Sequence, residues 1–140
     1  MQPAPKLLLM LEDESNRLER FTKLLETLGE TVEFRHWRTA SGFIDGFDNA
    51  DRVPSLICLD HDLFTDHRDD PDPGDGRDVA LHMANNTPQC HVVIHSSNGH
   101  AADSMLFTLE DANWDVEKIG PIGRDWIEAC LWPTVLPWIA

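Results

Sequence analysis

Short uninterrupted apolar runs and three- or four-residue apolar spacings alternate along this chain, and the alternation predicts its elements. Lys6 to Leu11 is an apolar run that stops at Glu12, Asp13 and Glu14, which reads as a first strand. Leu18, Phe21, Leu25 and Leu28 then recur at helical spacing, with Leu24 widening the stripe, Ser15 as the expected N-cap and Gly29 as the expected stop. Thr31 to Arg35 reads as a second strand. Thr39 to Phe47 reads as a helix with Phe43, Ile44 and Phe47 on one face, although Gly42 and Gly46 weaken it.

A third strand, Ser55 to Leu59, follows a turn at Asp51 to Pro54. Phe64 to Gly76 is rich in Asp, Pro and Gly and has no apolar period, so it reads as a loop. A helix restarts near Arg77 with Val79, Ala80 and Met83 inward. Cys90 to Ile94 is a fourth strand, Ala102, Met105, Leu106, Leu109 and Ala112 mark a helix, and Val116 to Ile119 is a fifth strand. A last helix is expected from Ile122 to Leu131, and Pro133 and Pro137 predict a kinked or extended tail whose Trp126, Trp132 and Trp138 pack back on the domain.

Strands alternating with helices predict one α/β domain over residues 1–140, a doubly wound five-stranded parallel sheet with helices on both faces. The run Leu56 to Leu63, LICLDHDL, carries the most information. Continuous apolar residues suit a strand covered on both faces, and its polar residues fall at the carboxyl end, where open α/β sheets bind ligands. Three polar clusters occupy such ends: Glu12 and Asp13, then Asp60, His61 and Asp62, then His95, Ser96, Ser97 and Asn98.

Each cluster suggests a chemistry and has a plainer alternative. Carboxylates from adjacent strands make an oxygen-rich pocket for Mg²⁺ or Mn²⁺, with Glu12, Asp13 and Asp60 as direct or water-mediated ligands. Alternatively, Glu12 and Asp13 cap the first helix. Ser96, Ser97 and Asn98 precede a helix and form a candidate phosphate site, or Ser97 is an ordinary N-cap. His61 and His95 adjoin the acidic pocket and are candidates for proton transfer or metal binding, or else are structural. His36, His67, His82, His91 and His100 have no comparable neighbours in the sequence.

Charge narrows the partners. A formal net charge of −14 excludes bulk binding to a phosphate backbone, which needs clustered Lys and Arg. The three cysteines, Cys58, Cys90 and Cys130, are scattered in apolar surroundings and read as buried free thiols. No apolar segment is long enough to span a membrane and no export signal is visible, so a cytoplasmic protein is expected. The acidic loop does not fit an EF-hand: counting from Asp70, Gly74 falls at the fifth position and no Glu stands at the twelfth.

On these residues the chain resembles a receiver domain of the response-regulator superfamily over nearly its whole length. The resemblance implies the strand order 2-1-3-4-5. It puts Glu12 and Asp13 at the acidic metal pair, Asp60 at the phosphoacceptor, Asp62 at the residue whose carbonyl completes the metal shell, and Ser96 at the switch hydroxyl. Receivers carry a Lys before a Pro after the fifth strand; here Gly120 precedes Pro121, and Lys118 and Arg124 are the candidate replacements.

A closer resemblance is to the cyclic-phosphate-processing receiver domains, carried by Leu59-Asp60-His61-Asp62-Leu63, by Gly74-Asp75-Gly76-Arg77-Asp78-Val79, by His95-Ser96-Ser97-Asn98 and by Met105, with Glu12 where that family more often has Asp. It implies a metal-dependent phosphoesterase acting on a cyclic nucleotide or an RNA 2′,3′-cyclic phosphate end. Glu12, Asp13, Asp60 and Asp62 would then serve the metal, and Ser96, Ser97 and Asn98 the phosphate. Asp60, His61 and His95 would be catalytic. The expected partners are a phosphate-containing small molecule or RNA terminus, and a protein. The other readings are a signalling module phosphorylated on Asp60, and a pseudo-receiver that only binds a protein.

Overall fold

A computed structural model describes residues 4–140. Its strands are β1 (Lys6–Leu11), β2 (Val32–Trp37), β3 (Leu56–Leu59), β4 (His91–His95) and β5 (Asp115–Ile119). The helices are α1 (Ser15–Glu26), α2 (Ala40–Asp48), α3 (Gly76–Ala84), α4 (Gly99–Asp111) and α5 (Trp132–Ile139), with a 3-10 turn at Gly29–Thr31 and a π-helical segment at Ile127–Leu131 before α5. All pairings are parallel and the sheet order is β2-β1-β3-β4-β5, as expected.

Strand alternation divides the core in two. Leu7, Leu9, Leu11, Ile57, Leu59, Val92 and Ile94 face α2, α3 and α4, where Phe43, Phe47, Val79, Met83, Met105 and Leu109 cover them. Leu8, Met10, Leu56, Cys58 and Val93 face α1 and the C-terminal helices, under Phe21, Leu25, Trp126, Ile127, Leu131, Val135 and Ile139. The central strands are therefore buried on both sides, which is why they read as unbroken apolar runs.

Several local expectations need correction. Glu14, not Ser15, holds the N-cap position of α1. Gly42 and Gly46 do not disrupt α2, because Trp37 lies across them: a Cβ on Gly46 would fall 2.1 Å from the Trp37 ring. Thr39 caps this helix by accepting from the Gly42 amide. Cys58 is buried as expected, whereas Cys90 and Cys130 are only half-buried; all three are free thiols.

The largest departure is the C-terminus. The expected helix from Ile122 does not form there; helical structure runs instead from Ile127 to Ile139, through both prolines. Ile127, Leu131, Val135 and Ile139 recur every four residues and all are buried, so one apolar stripe outweighs the proline penalty. Pro133 falls in the first turn of α5, where a missing N–H is tolerated. Nearby, the Cys130 carbonyl accepts from the Thr134 hydroxyl at 2.8 Å. Of the three tryptophans expected to pack back, Trp126 is buried and Trp132 half-buried, whereas Trp138 is exposed.

Trp138 stacks on His91, ring centroids 3.9 Å apart and 10° from parallel. His91 therefore has the company its sequence neighbours did not reveal. Its Nδ1 lies 2.8 Å from Asp115 and its Nε2 2.6 Å from Glu117, both on the next strand. His82 likewise meets Asp48 at 2.7 Å. The His91 cluster ties α5 to the edge of the sheet opposite the strand ends that carry the polar clusters.

Two stability changes follow from this anchoring. Ile139→Ala should cost about 2–4 kcal/mol in urea unfolding, the range for a large-to-small core change, despite lying next to the last residue. A cost near zero would mean that the last turn is not integral. His91→Ala should cost about 1–3 kcal/mol by leaving Asp115, Glu117 and Trp138 without their partner; an unchanged midpoint would discount the cluster.

Candidate functional site

Parallel pairing puts the carboxyl ends of β1, β3 and β4 side by side. The Asp60 amide donates to the Leu11 carbonyl at 3.0 Å, which aligns the ends of β1 and β3. Glu12, Asp60 and His95 then come together: one potential ligand atom from each lies within 4.8 Å of the others, and all three residues are buried. Among the described residues this is the group of metal-binding side chains that converges. The aspartates of the acidic loop do not join such a group.

The electrostatics of this centre are those of charge held out of water. Burial pushes the Asp60 carboxyl up to about 8, with the neighbouring Glu12 carboxylate adding to the effect and the hydrogen bond from the His61 amide opposing it. Burial likewise raises Glu12 to about 7, against the lowering pull of Arg17. Burial pulls His95 down to about 3, so its imidazole is neutral. The Glu12 Oε2 and both ring nitrogens of His95 are buried and have no hydrogen-bond partner. Unpaired polar atoms of this kind are costly, and a divalent cation would satisfy the Glu12 oxygen together with one of the two His95 nitrogens.

Arg17 supplies the positive charge that is present. Its guanidinium lies 3.4 Å from Glu12, 3.8 Å from Asp60 and 2.7 Å from Glu14, and sits over the Trp126 ring at 5.5 Å. Neither candidate replacement for the missing receiver lysine does this. Lys118 pairs with Asp103 on α4, and the Arg124 carbonyl is engaged by Arg20. Arg17 was not anticipated, although its place in the first turn of a helix that begins beside Glu12 and Asp13 was the available signal.

The other predicted residues occupy distinct positions around the centre. Asp13 is buried, and its Oδ2 accepts from the Phe64 amide at 2.7 Å, which pins the start of the acidic loop. Glu12 also serves α1, since its Oε1 accepts from the Glu14 amide, so helix capping and a free second oxygen coexist in one side chain. The Ser96 hydroxyl accepts from the Asn98 amide, and Asn98, not Ser97, is the N-cap of α4. Ser97 is exposed and lines a cleft of about 170 Å³ together with Asp13, Glu14, Arg17, Asp60, Asp62 and Phe64.

His61 and His95 are drawn to different partners. His95 lies 3.5 Å from Glu12 with Trp126 stacked behind it at 6.0 Å. His61 turns to the loop: its Nδ1 is 2.6 Å from Asp62, and its Nε2 is 3.7 Å from Asp75. Asn98 reaches Asp62 from the other side at 3.4 Å. Asp62 is thus held by β3 and α4 loops together, at the wall of the cleft.

Gly76 explains the glycine-rich segment. Its amide donates to the His61 carbonyl at 2.9 Å, and a Cβ there would lie 2.2 Å from the Asp60 carbonyl oxygen. Only glycine lets α3 begin this close to the strand end. Asp75 and Asp78 close a reciprocal capping box around it. Beyond Phe64, a second cleft of about 420 Å³ opens between Arg38, Thr39, Ser41 and loop residues Asp66, Asp70 and Asp72.

Comparison with known proteins identifies the fold. The crystal structure of the Mn²⁺-bound response regulator Rcp1 superposes with a TM-score of 0.70 at 19% identity, covering 96% of this chain and 95% of that one. The phosphorylated cyanobacterial phytochrome response regulator RcpA gives 0.70 and 19%, covering 98% and 96%. A CheY-like receiver domain from Methylobacillus flagellatus gives 0.64 and 17%, covering 95% and 98%. Identities this low establish the fold alone. No curated protein sequence matches the chain. The model of the cyclic-phosphate processing receiver domain matches residues 7–111, from β1 through α4, and the chain belongs to that family.

Proposed function

We propose that this protein is a divalent-metal-dependent phosphoesterase that opens cyclic phosphates, with Mg²⁺ or Mn²⁺ as cofactor. The observation that carries the reading is the buried, under-satisfied centre at Glu12, Asp60 and His95 beside an open cleft. The family description supports the substrate class, and the Mn²⁺-bound Rcp1 neighbour supports a cation at this strand-end rim. Glu12, Asp13, Asp60 and Asp62 hold the metal, directly or through water. A cation there supplies positive charge to the phosphoryl oxygens and acidifies water.

The remaining groups belong to the chain. Ser97, at the mouth, and the N-terminus of α4 behind Ser96 and Asn98 receive the phosphate, and Arg17 adds a second cationic contact. Water attacks phosphorus, one ring P–O bond breaks, and a phosphomonoester with a free hydroxyl results. The Asp62 carboxylate, which lines the cleft and is backed by His61 Nδ1 at 2.6 Å, takes the proton of the attacking water; the leaving oxygen takes its proton from solvent at the cleft mouth. Asp66, Asp70 and Asp72 line the neighbouring cleft beyond Phe64, where their charge disfavours a phosphodiester backbone, so a small cyclic nucleotide is favoured over a long RNA end. A cytoplasmic setting fits this chemistry and the free thiols, and among the described residues no helix is long and apolar enough to cross a membrane.

Purified protein with Mg²⁺ or Mn²⁺ should hydrolyse 2′,3′-cyclic or 3′,5′-cyclic nucleotides, and His61→Ala should lower kcat about 10²–10⁴-fold. Absence of turnover across both classes, or a stable phosphoryl adduct on Asp60 after exposure to a small phosphodonor, would replace this reading with a signalling one.

A second expectation concerns the metal-free protein. Glu12 and Asp60 titrate higher in the folded chain than in the unfolded one, so the fold retains protons that the unfolded chain releases. Their contribution is therefore most favourable at low pH and declines as pH rises from about 4 through the raised values near 7 and 8. Asp60→Asn should raise the metal-free melting temperature at pH 8 by on the order of 5 °C, with the gain vanishing near pH 4. A variant that melts lower than wild type at pH 8 would contradict the assignment.

A further inference from the structure

We infer that His95 is a metal ligand, and that Glu12, Asp60 and His95 form a mixed carboxylate–imidazole site that selects a first-row transition ion over Mg²⁺. This rests on the metal dependence proposed above but not on the reaction. In an ordinary acidic pair the donors are all oxygen, which suits Mg²⁺; a nitrogen donor shifts preference toward Mn²⁺, Fe²⁺, Co²⁺ or Zn²⁺.

Four observations converge on His95. Its side chain is 0% exposed, so no direct path leads from it to solvent or to a phosphate at the cleft mouth. Both of its ring nitrogens lack a hydrogen-bond partner, although a buried structural histidine normally satisfies at least one. The atom it faces, Glu12 Oε2 at 3.5 Å, is itself unpartnered, and an Asp60 oxygen completes a group within 4.8 Å. Finally, Trp126 lies roughly parallel behind the ring at 30°, which fixes the plane of the imidazole toward the carboxylates.

The three residues also come from three neighbouring strand ends, so backbone pairing spaces them before any ion arrives. Arg17, in contact with Glu12 and Asp60, balances the carboxylates in the absence of an ion, and its side chain is 31% exposed.

The test is equilibrium binding of Mn²⁺, Co²⁺ and Mg²⁺ to the full chain without any cyclic phosphate, together with pulsed electron paramagnetic resonance of the Mn²⁺ form. One transition ion should bind per chain at least about tenfold more tightly than Mg²⁺, and the Mn²⁺ spectrum should show coupling to a ring nitrogen. His95→Asn and His95→Phe should abolish that coupling and weaken Mn²⁺ by on the order of 10–100-fold, while Mg²⁺ binding changes about twofold or less. His61→Asn should retain the coupling. Wild type without nitrogen coupling, or without preference over Mg²⁺, overturns the proposal, and this reading does not depend on either variant folding. Since no substrate is present, a protein that fails to hydrolyse cyclic phosphates but binds Mn²⁺ through nitrogen retains this site and loses only the reaction. The converse result, turnover with no such coupling, retains the reaction and removes the ligand.

Discussion

Keeping two carboxyl groups and an imidazole out of water at one end of the sheet is the constraint on which the rest of this structure depends. Each group resists burial in its charged form, and the strand ends place them together. The core must offset that cost, and the central strands are apolar on both faces without interruption. What lies around the centre then reads as support: Arg17 balances charge, Trp126 closes one side, and Gly76 brings α3 against the back of Asp60. The irregular loop connects through its first residue, since the Phe64 amide is fixed to Asp13.

Two levels of organisation meet at β3. Its four apolar residues alternate between the two cores, which fixes the register with β1 and β4. Because side chains alternate, the register also decides which face each polar residue after Leu59 meets. Asp60 falls toward Glu12 and Arg17, while His61 falls toward Asp62 and Asp75. A slip of one residue would exchange these environments. The same property that stabilises the sheet therefore assigns chemistry to the rim.

The strands and the convergence of Glu12, Asp60 and His95 in a candidate site were legible because burial on both faces leaves a continuous apolar signature and because polar clusters recur where such strands end. Partnerships across the fold were not. His91 has no acidic sequence neighbour, and Asp115 and Glu117 reach it only through the pairing of β4 with β5. Lys118 looked available for the site by alternation, but Asp103 on the overlying helix claims it. The C-terminal helix was hidden by Pro133 and Pro137, whose local preference is overridden by the buried Ile127, Leu131, Val135 and Ile139 stripe. The separation of His61 from His95 was likewise invisible, since both stand at strand ends and only the side-chain surroundings distinguish them.

Trp126 gives the C-terminal segment a meaning beyond packing. It lies outside the stretch that matches the family model, yet its ring neighbours both Arg17 and His95. The surroundings of the centre are thus set partly by a residue of the C-terminal segment. A substitution at Trp126 would therefore reach the centre from the far end of the chain, changing what Arg17 and His95 pack against with the strand ends left unchanged.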